Sequence, residues 1–201
     1  AWADDPTVAH DRARAVIHAQ LAPTAIEVDR QEPGGPVRVA VLVEGVAPAV
    51  RDRADATARL LGGEAGISDA PPPWWGAYPP GHTLVKVTSE IAGLPRVIDA
   101  LDRGASDAGI AAHVRGSAGT GVLHVGLDAT DTPAATAAYV ETARRVAARH
   151  GGTAVVLHAP RDVRAAADPW GPTKGLALMR RVKDQFDPEH RLAPGRFVGG
   201  I

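Results

Sequence analysis

The sequence predicts an α+β fold: a ferredoxin-like (split βαβ) antiparallel sheet with helices mainly on one face, plus a C-terminal helix and tail. Three observations carry that expectation. Ile110 to Asp128 reads as two apolar strands about a glycine-rich turn, Gly116-Ser117-Ala118-Gly119-Thr120-Gly121, because Gly supplies the positive φ that turns need. A strand and helix precede this hairpin over Thr83 to Asp107, and a helix and strand follow it over Thr132 to Ala159, giving the order β-α-β-β-α-β. The glycine spacing is G-x-x-G-x-G leading into a strand, whereas a dinucleotide loop is G-x-G-x-x-G opening a helix.

Taken in order, Val8 to Leu21 reads as a helix with Ala13, Val16, Ile17, Gln20 and Leu21 near one face, ended by Pro23. Thr24 to Arg30 alternates as a strand, Glu32 to Pro36 is a turn, and Val37 to Glu44 is the most apolar strand, expected at the sheet centre. Pro48 to Leu61 is a helix with Val50, Ala54, Ala58 and Leu61 on a stripe, closed by Gly62-Gly63. Ala65 to Gly81 breaks every period. Its prolines make a long, stiff loop of the kind that is usually functional or disordered, and the Trp74-Trp75 pair argues against simple disorder.

Thr83 to Glu90 is a strand. Leu94, Val97, Ile98, Leu101 and Ala105 trace the clearest amphipathic helix. After the hairpin, Thr132 caps a helix with Pro133 at its first position, and Tyr139, Ala143, Val146 and Ala147 lie on its buried side. Gly151-Gly152 ends it, and Thr153 to His158 is the last strand of the series. A further helix around Leu178, Met179, Val182 and Phe186 leads into an aperiodic ending. No internal repeat is legible. The expected division is 1–167, with a ferredoxin-like core at about 83–159, and 168–201 as a helix and tail that dock elsewhere.

Composition narrows the function. The chain of 201 residues suits one full domain with appendages. Its net charge of −1 gives no electrostatic case for nucleic acid or an anionic membrane. The lack of Cys excludes disulfides and thiolate metal sites and fits a reducing, cytoplasmic setting. No apolar run has the length of a membrane span, and the acidic start is no signal peptide.

The candidate chemistry sits on the hairpin and the loop. His113 and His124 flank the turn, but neither has a close partner at ligand spacing, so no metal site is expected. Arg115, at the strand end, could bind a carboxylate bidentately or stand solvated. Trp74, Trp75 and Tyr78 could wall a pocket or seal the loop onto the sheet. The expected substrate pocket is Arg115, His124, Trp74 and Trp75, and no residue of the chain is expected to be catalytic by itself.

The tail is the most specific stretch. Lys183, then Phe186-Asp187-Pro188, then Leu192-Ala193-Pro194-Gly195-Arg196, resembles the C-terminal signature of FAD-linked oxidases of the vanillyl-alcohol-oxidase type, with Ala193 where Asn is usual. The hairpin sharpens the resemblance. Metal-dependent members carry Gly-His-x-Gly-Asp-Gly-Asn-x-His, whereas here Ser117, Thr120 and Val122 replace the first His, the Asp and the Asn. Asp168-Pro169-Trp170-Gly171 stands where those members carry Glu-His-Gly. The chain is thus most similar to the second FAD-binding subunit of bacterial glycolate oxidase, which lacks the metal ligands. The resemblance implies the cap and C-terminal region of an FAD-dependent oxidoreductase that moves hydride from a hydroxy acid or alcohol to the flavin. FAD would be held by a separate FAD-binding domain of the same protein, with Pro194, Gly195 and Arg196 adding contacts. Other oxidase subunits are possible partners, and this chain alone would be inactive. The alternative is a non-catalytic ferredoxin-like assembly or small-molecule-binding module.

Overall fold

The computed structural model describes residues 1–62, 65–128 and 132–201. In chain order it forms β1 (Trp2–Ala3), α1 (Pro6–His18), β2 (Ala25–Arg30), β3 (Val37–Leu42), α2 (Ala47–Leu61), β4 (Thr83–Thr88), a 3-10 turn (Ile91–Gly93), α3 (Leu94–Ala108), β5 (Ala112–Ser117), β6 (Val122–Leu127), α4 (Pro133–Arg149), β7 (Ala154–His158), α5 (Arg161–Ala166), α6 (Leu176–Phe186) and a last 3-10 turn (Val198–Gly200). Local chemistry sets the helix starts. The Asp5 carboxylate accepts from the Val8 amide at 2.9 Å ahead of α1, and the Thr132 hydroxyl accepts from the Ala135 amide at 3.2 Å ahead of α4. Pro133 at the start of α4 loses no helical hydrogen bond. Of the Gly62-Gly63 pair expected to close α2, Gly62 is its C-cap and Gly63 lies outside the described residues.

Seven strands form one sheet in the order β1-β3-β2-β5-β6-β4-β7, and every neighbouring pair is antiparallel. The run β5-β6-β4-β7 is the split βαβ arrangement expected for 83–159. The sheet continues beyond it, however, because β2 pairs with β5 and brings β3 and β1 along. Val37 to Leu42 is therefore not central: β3 has only two-residue β1 on its outer side. β1-α1-β2-β3-α2 repeats the path of β4-α3-β5-β6-α4. Asp29 and Arg115, paired across β2 and β5, are 86 positions apart, and so are Arg38 and His124 on the strands that follow. The same spacing separates the starts of α2 and α4. The molecule is an internal structural duplication that the side chains no longer display.

Alternation divides the sheet into two faces. Ile26, Val28, Val39, Val85, Val87, Val114, Leu123, Val125 and Leu127 point to one side and are almost wholly buried. There they meet Ala13 and Val16 of α1, Val97, Ile98 and Leu101 of α3, and Tyr139, Val140 and Ala143 of α4. Each large side chain so buried contributes roughly 1.5–3 kcal/mol. Beneath the sheet an Arg30–Asp102 ion pair of 2.9 Å ties β2 to α3. The opposite face carries Glu27, Asp29, Arg38, Lys86, Arg115 and His124. No helix among the described residues is long and apolar enough to cross a membrane.

Candidate functional site

The register lines up one row of side chains across the open face: Trp2, Arg38, Asp29, Arg115, His124 and Lys86, on β1, β3, β2, β5, β6 and β4. Asp29 is its centre and has no exposed surface. Arg38 donates to it through Nε at 2.8 Å, Arg115 through Nε at 2.6 Å, and His113 lies 2.8 Å from it through Nε2. Burial alone would raise the Asp29 carboxyl, but the hydrogen bonds from His113, Arg115 and Arg38 outweigh it and hold the pKa at about 2.

Arg115 then carries the row up to the proline-rich loop. Its Nη1 donates to the carbonyls of Ala77 and Tyr78 at 3.0 and 2.9 Å. Two guanidiniums lie over the Trp74 indole, Arg38 at 5.4 Å and Arg115 at 5.8 Å from its ring centre, and the residue is 8% exposed. Close approach of the loop depends on Gly126, where a Cβ would overlap the Pro80 carbonyl oxygen. The loop thus lies across the sheet and encloses a cavity of about 330 Å³ with it.

Trp74, Trp75, Arg115 and His124 all line that cavity, together with Glu27 and Tyr78. His124 stands directly opposite Arg115 across the hairpin and meets the Tyr78 ring edge-on, with centroids 4.9 Å apart. Burial, and then Lys86, lower its pKa, favouring the neutral imidazole. Glu27, on the strand beside Ser117, has its pKa raised by burial, opposed by the Ser117 hydroxyl. Trp74 is buried beneath the loop, and Trp75 and Tyr78 line the cavity with it. Arg115, which the sequence left as either a carboxylate fork or a solvated cation, already has partners in the fold. A bidentate partner needs two of its nitrogens, and Nε and Nη1 are already bonded to Asp29 and the loop carbonyls.

Asp29, Arg38 and Glu27 escaped the sequence reading. The signal for them was a charged residue at alternate positions within apolar strands, which reads as a solvated face until a loop is laid over it. His113, which flanks the turn, faces Asp29, and its cross-strand neighbour is Gly126. Among the described residues, no group of three or more His, Asp or Glu is arranged to hold a metal.

The tail residues have structural work of their own. Lys183 reaches Asp187 one helical turn on, 2.7 Å away, and donates to the Leu192 carbonyl at 2.6 Å. Asp187 accepts from the Arg191 and Leu192 amides, each at 2.9 Å. The Lys183 bond and those amides pull its pKa down to about 2. The signature is a clamp that folds the chain after α6. Beyond it, Gly195 and Arg196 line a second, open cavity with Arg164, Asp168, Trp170 and Phe197, where Trp170 and Phe197 meet edge-on with centroids 5.1 Å apart. The two cavities share no lining residue, so the cofactor residues expected on the tail do not join the pocket residues.

FAD needs a cradle of backbone amides for its pyrophosphate, usually where a glycine-rich turn opens a helix. The glycine-rich turn here joins two strands, and the space a Cβ would take is filled at Gly116 by the Val122 carbonyl and at Gly121 by that of Ser89. That turn therefore offers no such cradle. No curated protein matches the chain. A family model described as FAD linked oxidases, C-terminal domain, matches residues 85–197, which spans the hairpin and the tail clamp. That match covers more than half of the 201 residues, and the chain belongs to the family of FAD-linked oxidase C-terminal domains.

Proposed function

We propose that this chain is the cap and C-terminal region of an FAD-dependent oxidoreductase of the vanillyl-alcohol-oxidase type, acting on a hydroxy acid or alcohol and most like the second FAD-binding subunit of glycolate oxidase. The reading rests on one observation above all. In a chain of this family, Trp74, Trp75, Arg115 and His124 line one cavity between the proline-rich loop and the sheet. The flavin, bound by the FAD-binding domain that the family implies, supplies the two-electron acceptor. This chain supplies the wall against which substrate is held. Trp75 and Tyr78 offer ring faces, and His124 offers a neutral nitrogen to a hydroxyl proton.

Residues 168–201 would return to the FAD-binding domain. Support comes from α6, which buries no residue and exposes Leu178, Val182 and Phe186 at successive turns of one stripe. Pro194, Gly195 and Arg196 would lie against a flavin held there. Other oxidase subunits and a cytoplasmic location complete the reading.

Two measurements test it. Titrating the purified chain with FAD and following flavin fluorescence should show no saturable binding. The protein carrying both halves should be yellow and lose its oxidised-flavin absorbance anaerobically on adding an alcohol or 2-hydroxy acid. Micromolar FAD binding by this chain alone, or a flavin that no such compound reduces, would refute the proposal.

A further inference from the structure

We infer that an extended strand from the FAD-binding domain, running into Ala1, lengthens β1 and closes the free edge of β3 at Val41. This rests on the reading of the chain as the C-terminal region of a longer oxidoreductase. It concerns how the two halves join, not what reacts between them.

The duplication fixes the register. β1 is the counterpart of β4, since Trp2 faces Arg38 as Lys86 faces His124. One residue before each, Ala1 meets Val39 as Val85 meets Val125. The Val39 amide donates to the Ala1 carbonyl at 2.8 Å, and the Ala1 amine donates to the Val39 carbonyl at 2.9 Å, so the ladder is still in register there. In the second repeat the ladder goes on: Thr83 lies opposite Leu127, and the His82 amide donates to the Leu127 carbonyl at 2.8 Å. The residue 86 positions before Leu127 is Val41. Backbone groups alternate between the two edges of a strand, so Val41 turns its N–H and C=O the same way as Val39. Among the described residues no backbone group bonds to them on that edge.

Three further observations point to a strand as the occupant. Val41, Leu42 and Val43 are partly buried and uncharged, without the Lys or Pro that blunts a free edge. At the other end of the sheet the chain covers its own edge, where the Val156 amide of β7 donates to the Pro169 carbonyl at 2.8 Å. The Ala1 amine is itself partly buried, and burial and then Arg12 lower its pKa. A peptide amide would make the same bond to Val39 with no charge to desolvate. The residue two before Ala1 would then bond Val41 in both directions, as an added strand does. Its side chain would turn to the helix side of the sheet, where Thr83 is 3% exposed.

Hydrogen exchange at the Val41 amide tests this. In the protein carrying both halves it should be slower than in the chain beginning at Ala1 by roughly tenfold or more. Two extended chains separate strand pairing from general shielding. One carries Leu ahead of Ala1 and the other Thr-Leu, the two residues that precede Val85. Both turn the Ala1 amine into a peptide amide, but only the second places a carbonyl opposite the Val41 N–H. Exchange should slow with the second added residue and not with the first. Equal exchange at Val41 in the chain and in the two-half protein, or no step between the two extensions, would overturn the inference. Neither readout involves flavin reduction. A failure here therefore leaves the oxidoreductase reading standing, and a flavin that no alcohol or hydroxy acid reduces would sink that reading even with the edge paired.

Discussion

Replacing Asp29 by Asn should destabilise the fold more than any other single change on the open face. The carboxylate has no exposed surface and receives Arg38 at 2.8 Å, Arg115 at 2.6 Å and His113 at 2.8 Å. Asn keeps the shape but offers one acceptor, and turns an amide donor toward guanidinium donors. Two arginines are then left without their counter-charge, and breaking such a pair costs about 3–5 kcal/mol. Part of this can be reached independently by acid. The Asp29 carboxyl has a pKa of about 2 against an ordinary 3.8, which is worth on the order of 2–3 kcal/mol. Because the folded pKa is the lower one, that contribution is present above the ordinary value and is lost as pH falls from about 4 toward 2. Urea denaturation across that pH range measures both effects. Native protein should lose stability faster than D29N as acid is added, and the gap between them should narrow. A D29N stability within about 1 kcal/mol of native at neutral pH, or parallel acid limbs, would refute the network as drawn.

Other changes probe its consequences. R115K keeps the charge but cannot reach Asp29 and both loop carbonyls together, so the loop should loosen, seen as red-shifted Trp emission and faster proteolysis near Ala77. G126A should cost about 1–3 kcal/mol in chemical denaturation, because its methyl group meets the Pro80 carbonyl and must displace the loop. D187N removes the charge that Lys183 and two amides share, and hydrogen exchange at Arg191 and Leu192 should accelerate while the sheet amides stay protected. The clamp should also open in acid, as pH falls from the ordinary Asp range through about 2, since the Asp187 pKa is depressed in the fold.

Periodicity and caps were enough to read the helices and strands of the 83–159 series, its antiparallel hairpin and the α+β class, because each depends on residues within a turn or two of one another. The Trp loop was likewise legible as composition, and the tail signature as a family resemblance. The neighbour of β5 was not. Strand order is decided by which edges meet in three dimensions, and nothing local to Ala25–Arg30 says that it pairs with Ala112–Ser117. For the same reason the duplication stayed hidden: it lives in a spacing of 86 positions and in topology, while Asp29 and Arg115 occupy equivalent places with opposite charge. That pairing also settled what Arg115 does. In the sequence it was a cation at a strand end with a free fork. In the fold a buried carboxylate and two loop carbonyls reach it first, because the loop covers a face that alternation alone assigns to water.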